Sequence, residues 1–216
     1  MIRADHIRAI AELSESEGVF TTAQAARLGI TRDALHDAAE SGRLERVMRG
    51  AYRLVGSRSA HTDELAAIWK LTDPVRFTWE RMRPGSWDGV AIGGTTAASL
   101  QGIGDFFASP YRIYSPKRIN SRLKEAAFSL RKIDPQDISW VRGLPLTRLE
   151  RTLVDLCLDY EDPSLVEDAY HDAERAGLDL ARLGELVESI GSTPRREESL
   201  RPLIELMAAT RKETAE

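Results

Sequence analysis

A single cysteine, Cys157, stands in the whole chain, which excludes an internal disulfide and any zinc site built from several cysteines and fits a reducing compartment. It sits among apolar neighbours with no base beside it in sequence and reads as a buried core thiol. Histidine is nearly as scarce. His6, His36, His61 and His171 stand at spacings that make no zinc motif, so neither a metal nor a cofactor is expected. No apolar run approaches the roughly 18 residues that a membrane span needs. The opening stretch MIRADHIRAI has no signal-peptide core, and the expectation is a cytoplasmic protein without membrane contact. An excess of positive charge is missing as well: the net charge is −4 and the isoelectric point about 5.7. Any contact with nucleic acid must therefore be local.

What is present begins at residues 18 to 55, GVFTTAQAARLGITRDALHDAAESGRLERVMRGAYRLV. The apolar pair Val19-Phe20 leads into Thr21-Thr22-Ala23-Gln24, the pattern of a capping box, in which a threonine hydroxyl accepts the third helical amide and the glutamine reaches back. A helix is expected from about residue 22, with Ala25, Ala26 and Leu28 inward, ending at Gly29, which tolerates the positive φ of a tight turn. Thr31 caps a second helix from about Arg32 to Ser41 that buries Leu35 and Ala38 or Ala39, and Gly42 stops it. Leu44 to Val55 then reads as a hairpin that turns at Arg49-Gly50. Two helices, a short turn and a hairpin make a winged helix-turn-helix.

The same layout also occurs in modules that bind only protein, and charge placement argues for DNA. Between residues 43 and 58 five arginines (Arg43, Arg46, Arg49, Arg53 and Arg58) face one acid, Glu45, a local excess of +4. A basic wing of this kind suits phosphate contact and counterion release. The second helix is mixed: Arg32 and His36 can reach guanine, but Asp33, Asp37 and Glu40 would approach phosphates. The reading is a DNA binder anchored by its wing and helped by more than one copy per site.

The chain has 216 residues, 42% of them hydrophobic and 30% charged, enough to bury a second core beyond a winged helix of about 55 residues. The fold class expected is α+β: a winged helix-turn-helix domain over residues 1–57, then a mixed α/β domain with a helical C-terminus over 58–216. Ser57 to Ala60 is the polar joint. His61 to Leu71 reads as a helix burying Leu65, Ile68 and Trp69, and residues 72–89 as a loop-rich insertion pinned by aromatics. Strands are expected at Val90 to Ile92, Tyr111 to Tyr114, Phe128 to Ile133 and Ile138 to Val141. Thr147 to Glu150 reads as a capping box for a helix that buries Leu149, Leu153, Leu156, Cys157 and Tyr160. Within it Glu150 closes the cap and Arg151 pairs with Asp155 at i,i+4. Residues 163–189 and 197–211 are expected to be helical, the last with an apolar stripe of Leu200, Leu203, Ile204 and Met207 packed on its own domain.

An enzymatic reading rests on Gly93-Gly94 followed by Asp105, which superficially suggests a nucleotidyltransferase. That chemistry needs paired carboxylates to hold metal against a triphosphate, and residues 106 and 107 are both Phe. No Lys-Ser or Lys-Thr follows the glycines, so they form no P-loop. A strand-to-helix turn with Thr95 or Thr96 as cap is the simpler reading, and no catalytic residue is assigned.

The phrases VFTTAQAARLGI, GRLERVMRGAYRL, HTDELAAIW, GGTTAASLQGIGD and above all GLPLTRLERTLVDLC at 143 to 157, with AGLDLARLGELVE at 176 to 188, resemble the AbiEi-type antitoxins of bacterial AbiE toxin-antitoxin systems. The resemblance implies a protein that binds operator DNA, inverted repeats included, represses its own operon and neutralises a nucleotidyltransferase-like toxin. It implies DNA contacts from Thr22 and Gln24 at the first capped helix, Arg32 and His36 on the second, and Arg43, Arg46, Arg49 and Arg53 in the wing. Some relatives carry a nuclease-like domain after the RTLVDL helix; this chain continues in helices, so that activity is not implied. A regulator of the same design without a toxin partner is the alternative, and a nucleotidyltransferase or nuclease-related enzyme a further one.

Overall fold

A computed structural model describes residues 4–57 and 61–215 and divides the chain into two compact units, Met1–Asp88 and Gly89–Glu216. The boundary expected at 57/58 falls inside the first unit, and Arg58, Ser59 and Ala60 lie outside the described residues. The first unit is longer than a bare winged helix because two further helices pack on it.

Its order is α1 (Ala4–Glu17), β1 (Phe20–Thr21), α2 (Thr22–Arg27), α3 (Arg32–Glu40), β2 (Leu44–Met48), β3 (Ala51–Leu54), α4 (Asp63–Leu71) and α5 (Thr78–Met82). The capping box forms as the sequence requires: Gln24 N donates to Thr21 Oγ1 at 3.1 Å and Thr21 N to Gln24 Oε1 at 2.9 Å. Thr31 Oγ1 accepts from Ala34 N at 3.2 Å and starts α3. The hairpin closes on Arg49-Gly50, and the antiparallel sheet runs β1-β3-β2. The core is built from Leu13 of α1, Phe20, Ile30, Leu35, Ala38 and Leu44. Helix α1 was not expected; it buries Ile10 and Leu13 on a single face. Ala26 and Leu28, expected inside, are exposed, Leu28 by 46%. Six residues give α2 fewer than two turns, and Ile30 fills the inward place beyond its end.

The 72–89 segment, expected as a loop-rich insertion pinned by aromatics, carries α5 and is held as a strap, with Phe77 under Arg27 and stacked on Trp79 and with polar contacts besides. Pro74 O accepts from Thr21 Oγ1 at 2.5 Å and Arg76 O from Gln24 Nε2 at 2.8 Å. Glu17, its side chain 1% exposed, pairs with Lys70 of α4 and accepts from Thr78 Oγ1 at 2.6 Å and from Thr78 N at 3.1 Å. Burial lowers the Lys70 ammonium pKa, against the pull of Glu17. Arg81, 1% exposed, lies 3.6 Å over the Trp69 ring and pairs with Asp88 at 2.8 Å. Arg27 grips Glu80 through two bonds of 2.6 and 2.8 Å.

The second unit comprises β4 (Ala91–Ile92), α6 (Gly94–Gln101), β5 (Tyr111–Ser115), β6 (Ala126–Leu130), a 3-10 turn at Pro135–Asp137, β7 (Ile138–Val141), β8 (Leu144–Thr147), α7 (Leu149–Leu158), α8 (Pro163–Arg175), α9 (Leu180–Ile190) and α10 (Pro194–Ala215). Its sheet runs β6-β5-β4-β8-β7, with β4 parallel to β8, β5 parallel to β6, and the other two pairs antiparallel. Helix α7 is buried from Glu150 to Cys157 and packs against α6 and against the three helices that follow it. The stripe of α10 does pack on its own unit: Leu200, Leu203 and Met207 are buried, although Ile204 is 38% exposed.

Four expectations fail here. Thr147 belongs to β8, which was not expected, and the residue before α7 is Arg148, which makes no side-chain cap. Glu150 Oε1 closes no cap; it accepts from Asp179 N at 2.9 Å and so ties α7 to the start of α9. Tyr160 lies beyond the end of α7 at φ 59° and is 64% exposed instead of buried. The N-cap of α6 is Gly93, whereas Thr96 Oγ1 donates to Ala108 O at 2.6 Å and accepts from Arg112 N at 2.8 Å.

Gly93 is required by a close approach. A Cβ there would overlap the Tyr114 ring, which is fully buried against the turn. Gly93→Ala should therefore lower the free energy of unfolding by about 3 kcal/mol, since a rigid ring cannot yield; a urea midpoint unchanged from the natural protein would refute this. The Arg27 bonds, and then the Phe77 N–H, hold the Glu80 carboxyl at about 2, below its ordinary value of 4.5. The folded state keeps this charge where the unfolded chain has already bound a proton, so the pair's stabilisation is whole above about pH 4.5 and is lost as pH falls through about 2. The gap in urea midpoint between the natural protein and Glu80→Gln should accordingly close over that window.

Candidate nucleic-acid interface

The first unit carries an open concavity of about 660 Å³ where α2 and α3 face the wing. Thr22, Arg32, Arg46 and Arg49 all line it, with Leu35 and Tyr52 behind them. Four residues expected to contact DNA are thus brought together from three elements. The tip of the wing is fixed relative to α2, because Gly50 O accepts from Thr22 N at 2.9 Å and from Thr22 Oγ1 at 3.4 Å. Gly50 sits at φ 90°, a conformation that suits a hairpin turn and strains any residue with a Cβ.

The arginines of this unit divide into two groups. Arg32, Arg43, Arg46 and Arg49 are exposed and join no ion pair among the described residues. Arg43 lies outside the concavity and donates to Ser41 Oγ at 3.3 Å. Arg53 belongs to the other group. It bonds Glu45 at 2.5 Å, approaches Asp63 to 3.7 Å, and its side chain is 16% exposed. It joins the wing to α4, and its charge is already answered by two carboxylates, so the expected DNA contact is withdrawn.

Gln24 is a second correction. It is fully buried, and its amide is used by Thr21 N, Arg76 O and, at 3.4 Å, Glu17. A side chain with no exposed surface cannot touch a base. His36 is exposed but pairs with Glu40 at 3.3 Å along the helix, and Asp33 and Asp37 are exposed on the same element. The positive field therefore centres on the wing and the first residue of α3, not along the helix. Arg58 lies outside the described residues.

The features behind an enzymatic reading are placed differently. The space beside Gly93-Gly94 is filled by Tyr114, leaving no cradle for a phosphate. Asp105 is exposed. No group of three metal-ligating side chains occurs among the described residues. Cys157 is 5% exposed, and burial pushes its thiol up to about 12. No helix among the described residues is long and apolar enough to cross a membrane.

Residues 8–55 match a family described as "Transcriptional regulator, AbiEi antitoxin". The match spans most of α1 and runs through the end of the wing, so the resemblance read from the sequence holds over this region, and it supports a regulator role. No curated protein matches the chain. Among solved structures the chain is similar to the RV2827C protein from Mycobacterium tuberculosis, with 18% identity, 96% of this chain and 78% of that chain covered, and a TM-score of 0.59. At that identity the likeness is one of fold.

The two groups of side chains should separate in a melting experiment. Gln24→Ala removes a cap and orphans its buried partners, and should cost about 1–2 kcal/mol of stability. Arg46→Ala and Arg49→Ala should stay within about 0.5 kcal/mol of the natural protein. Equal losses would show that the wing arginines hold the fold.

Proposed function

We propose that this chain is a DNA-binding repressor of the AbiEi antitoxin kind, acting on its own operon and opposing a nucleotidyltransferase-like toxin. The observation that carries the reading is the convergence of Arg32, Arg46 and Arg49 on one open concavity with no carboxylate partner among the described residues. Arginines left unpaired in this way keep their affinity for phosphate. The match of residues 8–55 to a regulator family supports the same reading.

In this mechanism the wing straddles the backbone, with Arg46 and Arg49 on phosphates. Arg32, at the first position of α3, reaches a guanine edge. The acids on α3 lower the affinity of one copy, so tight binding comes from two copies on an inverted repeat. Residues 89–216 supply the antitoxin half, and a regulator of this kind works in the cytoplasm.

Replacing both Arg46 and Arg49 with Ala should weaken operator and random duplex alike and reduce the salt slope of log K by about 2. In cells the same variant should derepress the operon yet still protect against the neighbouring toxin. Unchanged affinity and salt slope would reject the wing as the anchor. Failure of the natural protein to protect would leave a regulator without a toxin partner.

A further inference from the structure

The second unit holds a basic pocket that the repressor reading does not use. Its volume is about 620 Å³, and it opens between the end of β6, the end of α7 and the start of α10. Five of its lining residues are cationic, Arg131, Lys132, Arg151, Arg195 and Arg196, and none is acidic.

Arg151 is the informative one. It is 7% exposed, yet only its Nε has a partner, Asp155 Oδ1 at 3.0 Å. Its two terminal nitrogens donate to nothing among the described residues, although the side chain lines the pocket. Those two nitrogens are not sealed from solvent, so water meets them in the open pocket and the acceptors of a ligand can take its place. Arg131 beside it is fixed by Asp155 at 2.8 Å and Asp159 at 2.6 Å and lies 4.4 Å over the Tyr114 ring. These two carboxylates balance the two inner arginines. Lys132, Arg195 and Arg196 remain as excess charge at the rim, in no ion pair among the described residues.

Tyr160 closes one side. It is one of two non-glycine residues with positive φ among those described, and its hydroxyl accepts from Arg195 Nε at 3.3 Å. A strained, exposed aromatic held beside cations is a ready surface for a planar ring. The first turn of α10, a helix of 22 residues, adds the positive end of its dipole to the mouth.

We propose that this pocket binds a nucleoside polyphosphate, with the phosphates on Arg151, Arg195 and Arg196 and the base against Tyr160. Its volume lies in the range of small-molecule sites. The burial of Arg151 favours a ligand that enters over a duplex, whose backbone would meet only Lys132, Arg195 and Arg196 at the rim.

Calorimetry on the full chain with ATP, GTP and tripolyphosphate tests this. Arg195→Ala with Arg196→Ala, both on exposed positions, should leave melting unchanged and weaken all three ligands at least about tenfold. Tyr160→Asn, which tolerates positive φ, should weaken ATP and GTP but not tripolyphosphate. Arg46→Ala with Arg49→Ala, in the other unit, should change none of them. The proposal fails if the natural protein binds none of the three at about 1 mM, or if binding survives the loss of Arg195 and Arg196. It fails too if that variant loses duplex DNA and keeps nucleotide. Equal binding of all three ligands by Tyr160→Asn and the natural protein would assign the pocket to inorganic polyphosphate and overturn the nucleoside part.

Discussion

The winged-helix unit depends on a buried carboxylate. Glu17, at the end of α1, takes the ammonium of Lys70 from α4, the amide and hydroxyl of Thr78 from α5, and the amide of Gln24 from α2. Four helices are fixed around two oxygens. Removing either member of such a pair leaves an uncompensated buried charge, a loss on the order of 3–5 kcal/mol. From Gln24 the constraint passes to the cap of α2, and from the first residue of α2 to Gly50 at the wing tip. The candidate phosphate ligands Arg46 and Arg49 are therefore positioned by an interaction buried away from them. Positioning by a rigid support lowers the ordering cost that binding would otherwise incur.

Arginine serves two purposes in this unit, and the difference lies in the company each residue keeps. Arg27, Arg53 and Arg81 have carboxylates within 2.8 Å and hold elements together. Arg32, Arg46 and Arg49 have none among the described residues and line a concavity. A count of basic residues along the wing merges these groups. The excess of five arginines over one acid therefore overstates the field available to a phosphate, since the Glu45 in that same stretch and the Asp63 beyond it are both committed to Arg53.

Features set by near neighbours in the chain were legible in the sequence. The capping box at Thr21, the cap at Thr31, the left-handed stop at Gly42, the hairpin turn at Arg49-Gly50 and the pairing of Arg151 with Asp155 all involve residues within five positions of one another. What escaped depends on partners far apart. Gln24 looked like a surface amide until residues 74–78 folded over it. Tyr160 falls in register with the apolar face of α7 and leaves it because the chain turns left-handed there. Thr147-Arg148-Leu149-Glu150 has the composition of a capping box, but β8 pairs through Thr147 and Glu150 is taken by the start of α9. Of the candidate site, the wing and Arg32 were readable, while the roles of Gln24 and Arg53 required the strap and α4.

Cys157 turns the packing of α7 into something that can be timed. It is the chain's one thiol, it is buried in the helix on which the second unit is built, and its raised pKa keeps it protonated at neutral pH. A thiol-reactive dye would reach it slowly through the concavity it lines with Val166 and Pro202, and faster once that helix separates from its neighbours. The rise in labelling rate above that of the folded chain would report the opening of the second unit, in the unmodified sequence, while the winged helix, which has no thiol, remains silent.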